Sequence, residues 1–248
     1  MKYLFLLIPV SIFGLYFFST AEFFEEEEPE KNIKEKLMSN SQTMKYVPDE
    51  VPENMSVATK KERFYHLLVP AVQKVHSEWM TRYLSVLDDM ENSKNLKKIN
   101  DLKTKHNVQS DEELLAVLKP HPPSIVLAQA AMESAWATSR FFTEANNIFG
   151  MWSVNPDEPR IAAGEARENE RIIWLRKFGS IEESVREYYK LMARGHAYEE
   201  FREIRLKTDD VFEIIQKLDR YSEIGDKYIQ ELGSMIKFNK LTKYDIQE

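Results

Sequence analysis

Cysteine is absent from the 248 residues, which excludes disulfides and thiolate-held metals. It leaves the compartment open, because exported chains can also lack cysteine. Histidine is scarce: five residues are scattered along the chain, and no two stand at the i, i+4 spacing of a helical metal site. A zinc enzyme is therefore not expected, and no metal or organic cofactor is. A surplus of positive charge is also lacking, with 34 Lys and Arg against 41 Asp and Glu, net −7. Nucleic acid is excluded as a partner on that ground, since phosphate contacts need a basic face. The pairs Lys60-Lys61 and Lys97-Lys98 read as solvated helix surface. What remains is an ordinary globular composition, 43% hydrophobic and 30% charged, long enough for one large domain or two small ones.

Residues 3–18, YLFLLIPVSIFGLYFF, carry no charge and follow Lys2, as an export signal does. Their length falls between a cleaved signal core and a full span of about 20 residues, so residues 1–21 read as a signal peptide or a membrane anchor. Ser19 and Ala21 supply the small residues for cleavage after Ala21, while Pro9 and Gly14 weaken a lasting membrane helix. Lys2 before the run and the acids Glu25–Glu28 after it orient the remainder away from the cytoplasm. Residues 22–58, acidic and punctuated by Pro29, Pro48 and Pro52, read as a linker, and 59–248 as the folded domain.

From Lys60 the pattern turns helical. Phe64, Leu67, Leu68, Ala71, Val72, Val75 and Trp79 recur at spacings of three and four, with a kink or a short preceding turn expected at Pro70. Ser110-Asp111-Glu112-Glu113 is a capping box, and Ser180-Ile181-Glu182-Glu183 is another, opening a helix to about Met192. Pro123 suits the first turn of a helix over about 123–135 that is apolar nearly all round, with only Gln129 polar from Ile125 to Met132. Arg160–Ala163 and Arg171–Trp174 are expected to pair as a small hairpin, and further helices are expected near 197–206, 209–218 and 226–238. The fold class is α+β, mainly helical, with a small β-hairpin lobe.

Glu133 ends the apolar helix. Loss of hydration there favours the neutral carboxyl and raises its pKa, as a general acid requires. The plainer alternative is a helix-end carboxylate paired with Arg140. Nearby Trp136, Phe141 and Phe142 suit both desolvation and sugar stacking.

The run PPSIVLAQAAMESAWATSRFFTEANNIFGMW, residues 122–152, resembles the glucosaminidase domain of glycoside hydrolase family seventy-three, in its Bax-type branch from Gram-negative bacteria. The likeness extends through WLRKFGSIEESVREYYKLM and YSEIGDKYIQELGSMIKFNKL, and covers about residues 60–245. The resemblance implies a lysozyme-like domain that hydrolyses the β-1,4 bond between N-acetylglucosamine and N-acetylmuramic acid. It implies Glu133 as general acid and a second carboxylate among Glu165, Glu168 and Glu170, with Glu168 favoured by counting back from the Arg176-Lys177-Phe178 run. Tyr221 is implied to line the cleft beside the scissile sugar, and Tyr198 to flank the groove. Asn147 and Trp152 match a segment whose amides and aromatics can bind acetamido groups and pyranose faces, whereas Phe149 and Gly150 lean structural. Ala137 stands where that branch usually has glycine, and Met132 where it often has a smaller or polar residue. The implied partners are peptidoglycan glycan strands, with membrane contact through residues 3–18, and the implied state is a monomer in the periplasm or anchored facing it. The rival readings are a lytic transglycosylase and a non-catalytic glycan-binding protein.

Overall fold

A computed structural model describes residues 46–164, 172–222 and 224–245. The apolar run at 3–18, the cleavage point after Ala21, most of the expected linker, and Glu165, Glu168 and Glu170 lie outside the described residues. Among the described residues no helix is long and apolar enough to cross a membrane.

Nine α-helices and one two-stranded antiparallel sheet make up the described residues: α1 Val57–Glu91, α2 Leu96–His106, α3 Asp111–Leu118, α4 Pro123–Glu133, α5 Arg140–Ala145, β1 Arg160–Ala162, β2 Trp174–Arg176, α6 Ile181–Arg194, α7 Glu199–Lys207, α8 Val211–Ile214 and α9 Asp226–Phe238. The domain is mainly helical with a small hairpin, as the sequence predicts. Both expected caps form. Ser110 Oγ accepts from Glu113 N while the Glu113 carboxylate accepts from Ser110 N, and Ser180 Oγ accepts from Glu183 N.

The structure departs from the sequence reading at three places. Helix α1 runs 35 residues with Pro70 inside it, so no short turn precedes that proline. Pro70 is exposed, so water can serve the His66 carbonyl that the missing N–H leaves open. The second strand is Trp174–Arg176 rather than 171–174, with Ile161 opposite Leu175. Leu175 is its buried residue, and this burial sets the register. Helix α2, not expected, stands between Asn95 and Asn107, both left-handed, and buries only Ile99.

Helix α4 is the centre. Every residue from Pro123 to Ala131 is buried, and α1, α9 and the 3₁₀ turn Leu241–Tyr244 pack against it. Its first turn is fastened by the Asp245 carboxylate, which accepts from Ser124 N at 2.7 Å and satisfies one of the amides a helix start leaves open. At the other end of the molecule α1, α2 and α3 share a smaller core of Val86, Ile99, Leu114 and Leu118. Buried Arg205 of α7 joins the two, donating to the Ala116 and Lys119 carbonyls at the end of α3.

Candidate active site

Glu133 is the last residue of α4, where the fully buried helix meets the surface. Part of its side chain reaches solvent, yet the carboxyl is so closely enclosed by protein that burial alone pushes its pKa up to about 7. Arg140 does not neutralise it. That guanidinium pairs with Glu144 at 3.2 Å and donates to the Ala162 carbonyl at 2.6 Å, so the helix-end ion pair does not form.

Four tyrosines surround the acid closely enough for its charge to raise their pKa values, after burial, which is the larger cause: Tyr188, Tyr198, Tyr221 and Tyr228. Tyr198 is pushed up to about 12 and the other three well above the ordinary phenol value, so all keep their protons. Tyr221 stacks on Tyr228 with centroids 5.3 Å apart and meets Tyr198 at 6.1 Å. The structure thus brings Tyr198 and Tyr221 to the acid together.

Beneath them runs a buried polar chain. Gln129, one turn before Glu133 on the same face of α4, accepts from the Tyr188 hydroxyl and donates through Nε2 to the Tyr228 hydroxyl at 2.9 Å. Because Tyr188 spends its proton on Gln129, its oxygen accepts from His121, 2.9 Å away, which fixes the Nε2–H tautomer. Burial pushes the His121 pKa far down, so the ring is neutral and its Nδ1 lacks a partner as an acceptor rather than as a buried donor. Sequence reasoning noted Gln129 as the one polar residue from Ile125 to Met132, and that was the available signal for this chain of bonds.

Directly after Glu133 the backbone makes a left-handed turn: Ala135, Trp136 and Ala137 have φ of 51°, 62° and 61°. None is glycine, so each position carries strain of about 1–2 kcal/mol. Ser134 Oγ ties the turn, donating to the Ala130 carbonyl and accepting from Ala137 N at 2.8 Å.

Asn147 has a different job from the one its motif implies. It is buried, Nδ2 donates to the Met151 and Arg176 carbonyls at 2.9 Å each, and Oδ1 accepts from Met151 N at 2.8 Å. Its amide is committed to backbone and fastens β2 to the turn at 147–151. Phe149 is buried and stacked on Tyr188 at 4.1 Å, and Gly150 has a φ of 63°, so both are structural. Trp152 differs: it bridges to Leu175 through its backbone and leaves its side chain 36% exposed on the hairpin lobe. Glu168 lies outside the described residues. No group of three or more His, Asp or Glu that could hold a metal occurs among the described residues.

The motif agrees with what comparison finds. Residues 112–241 match the family described as glucosaminidase, mannosyl-glycoprotein endo-beta-N-acetylglucosaminidase. That is just over half of the chain, and the chain belongs to this family of glycoside hydrolases. Protein bax of Escherichia coli (strain K12) is 32% identical over 125 residues, 48% of this chain and 43% of that protein. The chain thus matches less than half the length of this curated relative. Among solved structures, a truncated glycoside hydrolase domain of Salmonella typhimurium FlgJ is 23% identical, with a TM-score of 0.39, over 52% of this chain and 91% of that one. The catalytic domain of the autolysin Auto from Listeria monocytogenes is 18% identical, with a TM-score of 0.45, over 89% of this chain and all of that one.

Proposed function

We propose that this chain is a peptidoglycan hydrolase that cuts the β-1,4 bond between N-acetylglucosamine and N-acetylmuramic acid, with Glu133 as general acid. One observation carries the reading: in a chain of the glucosaminidase family, a carboxyl with no cation paired to it among the described residues stands at the surface end of a buried apolar helix, its pKa raised to about 7. Such a group holds its proton near neutral pH and can pass it to a glycosidic oxygen. The neutral phenols of Tyr198 and Tyr221 supply hydroxyls without adding charge, so they can hold a sugar without stabilising the carboxylate prematurely. Trp152 offers an aromatic face for a pyranose ring. Glu168 is the proposed second carboxylate, acting as base or shielding the oxocarbenium-like transition state.

Digestion of purified peptidoglycan by Glu133→Gln tests this. A folded variant that works at the wild-type rate would sink the assignment. Mass spectrometry of the released muropeptides decides the reaction: hydrolysis leaves reducing ends heavier by one water, while anhydro ends would identify a lytic transglycosylase. The same reading makes residues 3–18 an export segment, with the domain in the periplasm. An alkaline phosphatase fusion at the C-terminus is then active, and an inactive fusion would contradict export.

A further inference from the structure

Arg63 is completely buried near the start of α1, ahead of the family-matched residues that begin at 112. Its guanidinium joins three separate pieces of chain. Nη1 donates to the Ala137 carbonyl at 2.5 Å, Nη2 donates to the Val47 and Pro48 carbonyls at 2.9 Å each, and the plane lies 5.8 Å from the Phe142 ring. No carboxylate pairs with it among the described residues; burial lowers its pKa, opposed by Tyr46, and its Nη donors all go to backbone oxygens.

Ala137 is the last residue of the left-handed turn behind Glu133, and the turn is held from the same side by the same helix. Trp136 packs edge-on against Phe64 at 5.1 Å and Tyr65 at 6.0 Å, with the Lys61 ammonium 5.4 Å from its ring. Alanine at positions of φ 51° and 61° relaxes unless something outside the turn opposes it. The fork of an arginine suits that task, because its planar donors bond two segments at once, where a lysine has a single point charge.

We propose that Arg63 is a positioning residue for the acid: the helical extension ahead of the family-matched region clamps the Ala135–Ala137 turn and thereby fixes how Glu133 is presented. The proposal rests on Glu133 being the acid. The helix before the matched region is then part of the working site, although it contributes no group that touches substrate.

The experiment uses the whole chain with Arg63→Met, alone and on top of Ala135→Gly and Ala137→Gly. Glycine removes the strain at two of the three left-handed positions and leaves only Trp136, which Phe64 and Tyr65 hold by packing, so the Arg63 clamp becomes dispensable there. Alone, the substitution lowers kcat on peptidoglycan by about tenfold to a hundredfold with little change in KM, the cost of a small misplacement of a catalytic group. On the glycine background the same substitution lowers kcat by less than about threefold, since the two changes act on one turn and are not additive. A merely structural role predicts equal losses on both backgrounds, and that outcome overturns the proposal, as does an unchanged kcat for folded Arg63→Met. If Arg63→Met alone does not fold, the triple variant decides: folded with kcat near that of the double glycine variant upholds the clamp, folded and inactive overturns it, and unfolded as well also overturns it. Glu133→Gln is assayed in parallel. If it is inactive while Arg63→Met is fully active, only the present proposal falls. If it digests at the wild-type rate, the acid assignment falls and takes this proposal with it.

Discussion

The two sides of the site are held by different physics. Glu133 stands on a helix whose residues from Pro123 to Ala131 are all buried, with tyrosines stacked about it and neutral hydrogen bonds beneath. The hairpin lobe has strands of only three residues and buries Leu175 alone from them. Polar clamps attach it. Asn147 bonds the Arg176 carbonyl, Arg140 bonds the Ala162 carbonyl, and Arg176 joins Glu158 at 3.1 Å and Glu187 at 3.0 Å. Trp152, Val154 and Ile172 leave apolar surface exposed on or beside the lobe. An acid needs a dry, fixed surrounding that withholds its charge, and apolar packing supplies this at any pH. A lobe joined by ions and amides can be loosened by pH or by removing one group, without touching the acid.

The sharpest test of the helical side is Glu133→Gln, with an expected loss of about 10²- to 10⁴-fold in peptidoglycan digestion. Its effect on stability has the opposite sign. The folded chain keeps the Glu133 proton up to about pH 7 and the unfolded chain only to about 4.5. Between those values the folded state binds more protons, so stability falls as pH rises through the window. Glutamine removes the penalty. At pH 8 the variant is expected to be more stable by about 1–3 kcal/mol, allowing for partial exposure, and near pH 4 to match the wild type. Chemical denaturation at the two pH values checks this, and equal stability at pH 8 would contradict the buried-acid picture.

On the lobe side, Asn147→Leu is expected to cost about 3 kcal/mol, because it strands a buried amide and two carbonyls at once. Urea melts of the folded chain measure it. A loss below about 1 kcal/mol would mean that Asn147 is free to serve a ligand after all. Next in size is the Arg176 clamp. Burial on its own would raise the Glu187 pKa, but the hydrogen bonds from Lys190 and Arg176 outweigh it and hold the carboxyl below its ordinary value. Its contribution is therefore present above the unfolded value of about 4.5 and lost as pH falls through the lower folded one. Glu187→Gln is expected to cost about 0.5–1 kcal/mol at pH 7 and progressively less as pH falls below about 4.5. Proteolysis within the hairpin reads this loosening. If the variant is as resistant as wild type at pH 7, the ion pairs do not dock the lobe.

The two halves also differ in how far they could be read in advance. The acid's helix was legible because a run without polar residues except Gln129, ending in a carboxylate and opened by Pro123, has one consistent interpretation. The Ser110 capping box and the Ser180 cap were legible for the same local reason. The hairpin was placed, but its second strand starts three residues later and ends two later than expected, since the register depends on Leu175 reaching the core and on Asn147 reaching Arg176, 29 positions away. Spacing alone could not separate an Arg140–Glu133 pair from the Arg140–Glu144 pair that forms. Helix α2 carries one buried side chain, too few for a periodic signal. Arg63 left only the trace of a cation on an apolar face, and its partner carbonyls are invisible in sequence.

The smallest expected effect concerns Trp152, where the lobe meets the proposed substrate. Its backbone bridges to Leu175, so truncating the side chain leaves the pairing intact, and the 36% exposed ring contributes little to packing. Stability is therefore expected to change by less than about 0.5 kcal/mol. A sugar stacked on an indole gains about 1 kcal/mol, so Trp152→Ala is expected to raise KM for peptidoglycan fragments about fivefold while kcat changes less. The pattern separates the two sides of the site: a change beside the acid lowers kcat, and a change on the exposed lobe raises KM. A Trp152→Ala variant whose loss falls in kcat alone would mean that the lobe helps to shape the acid's surroundings, and the division between a packed acid and a clamped lobe would have to be redrawn.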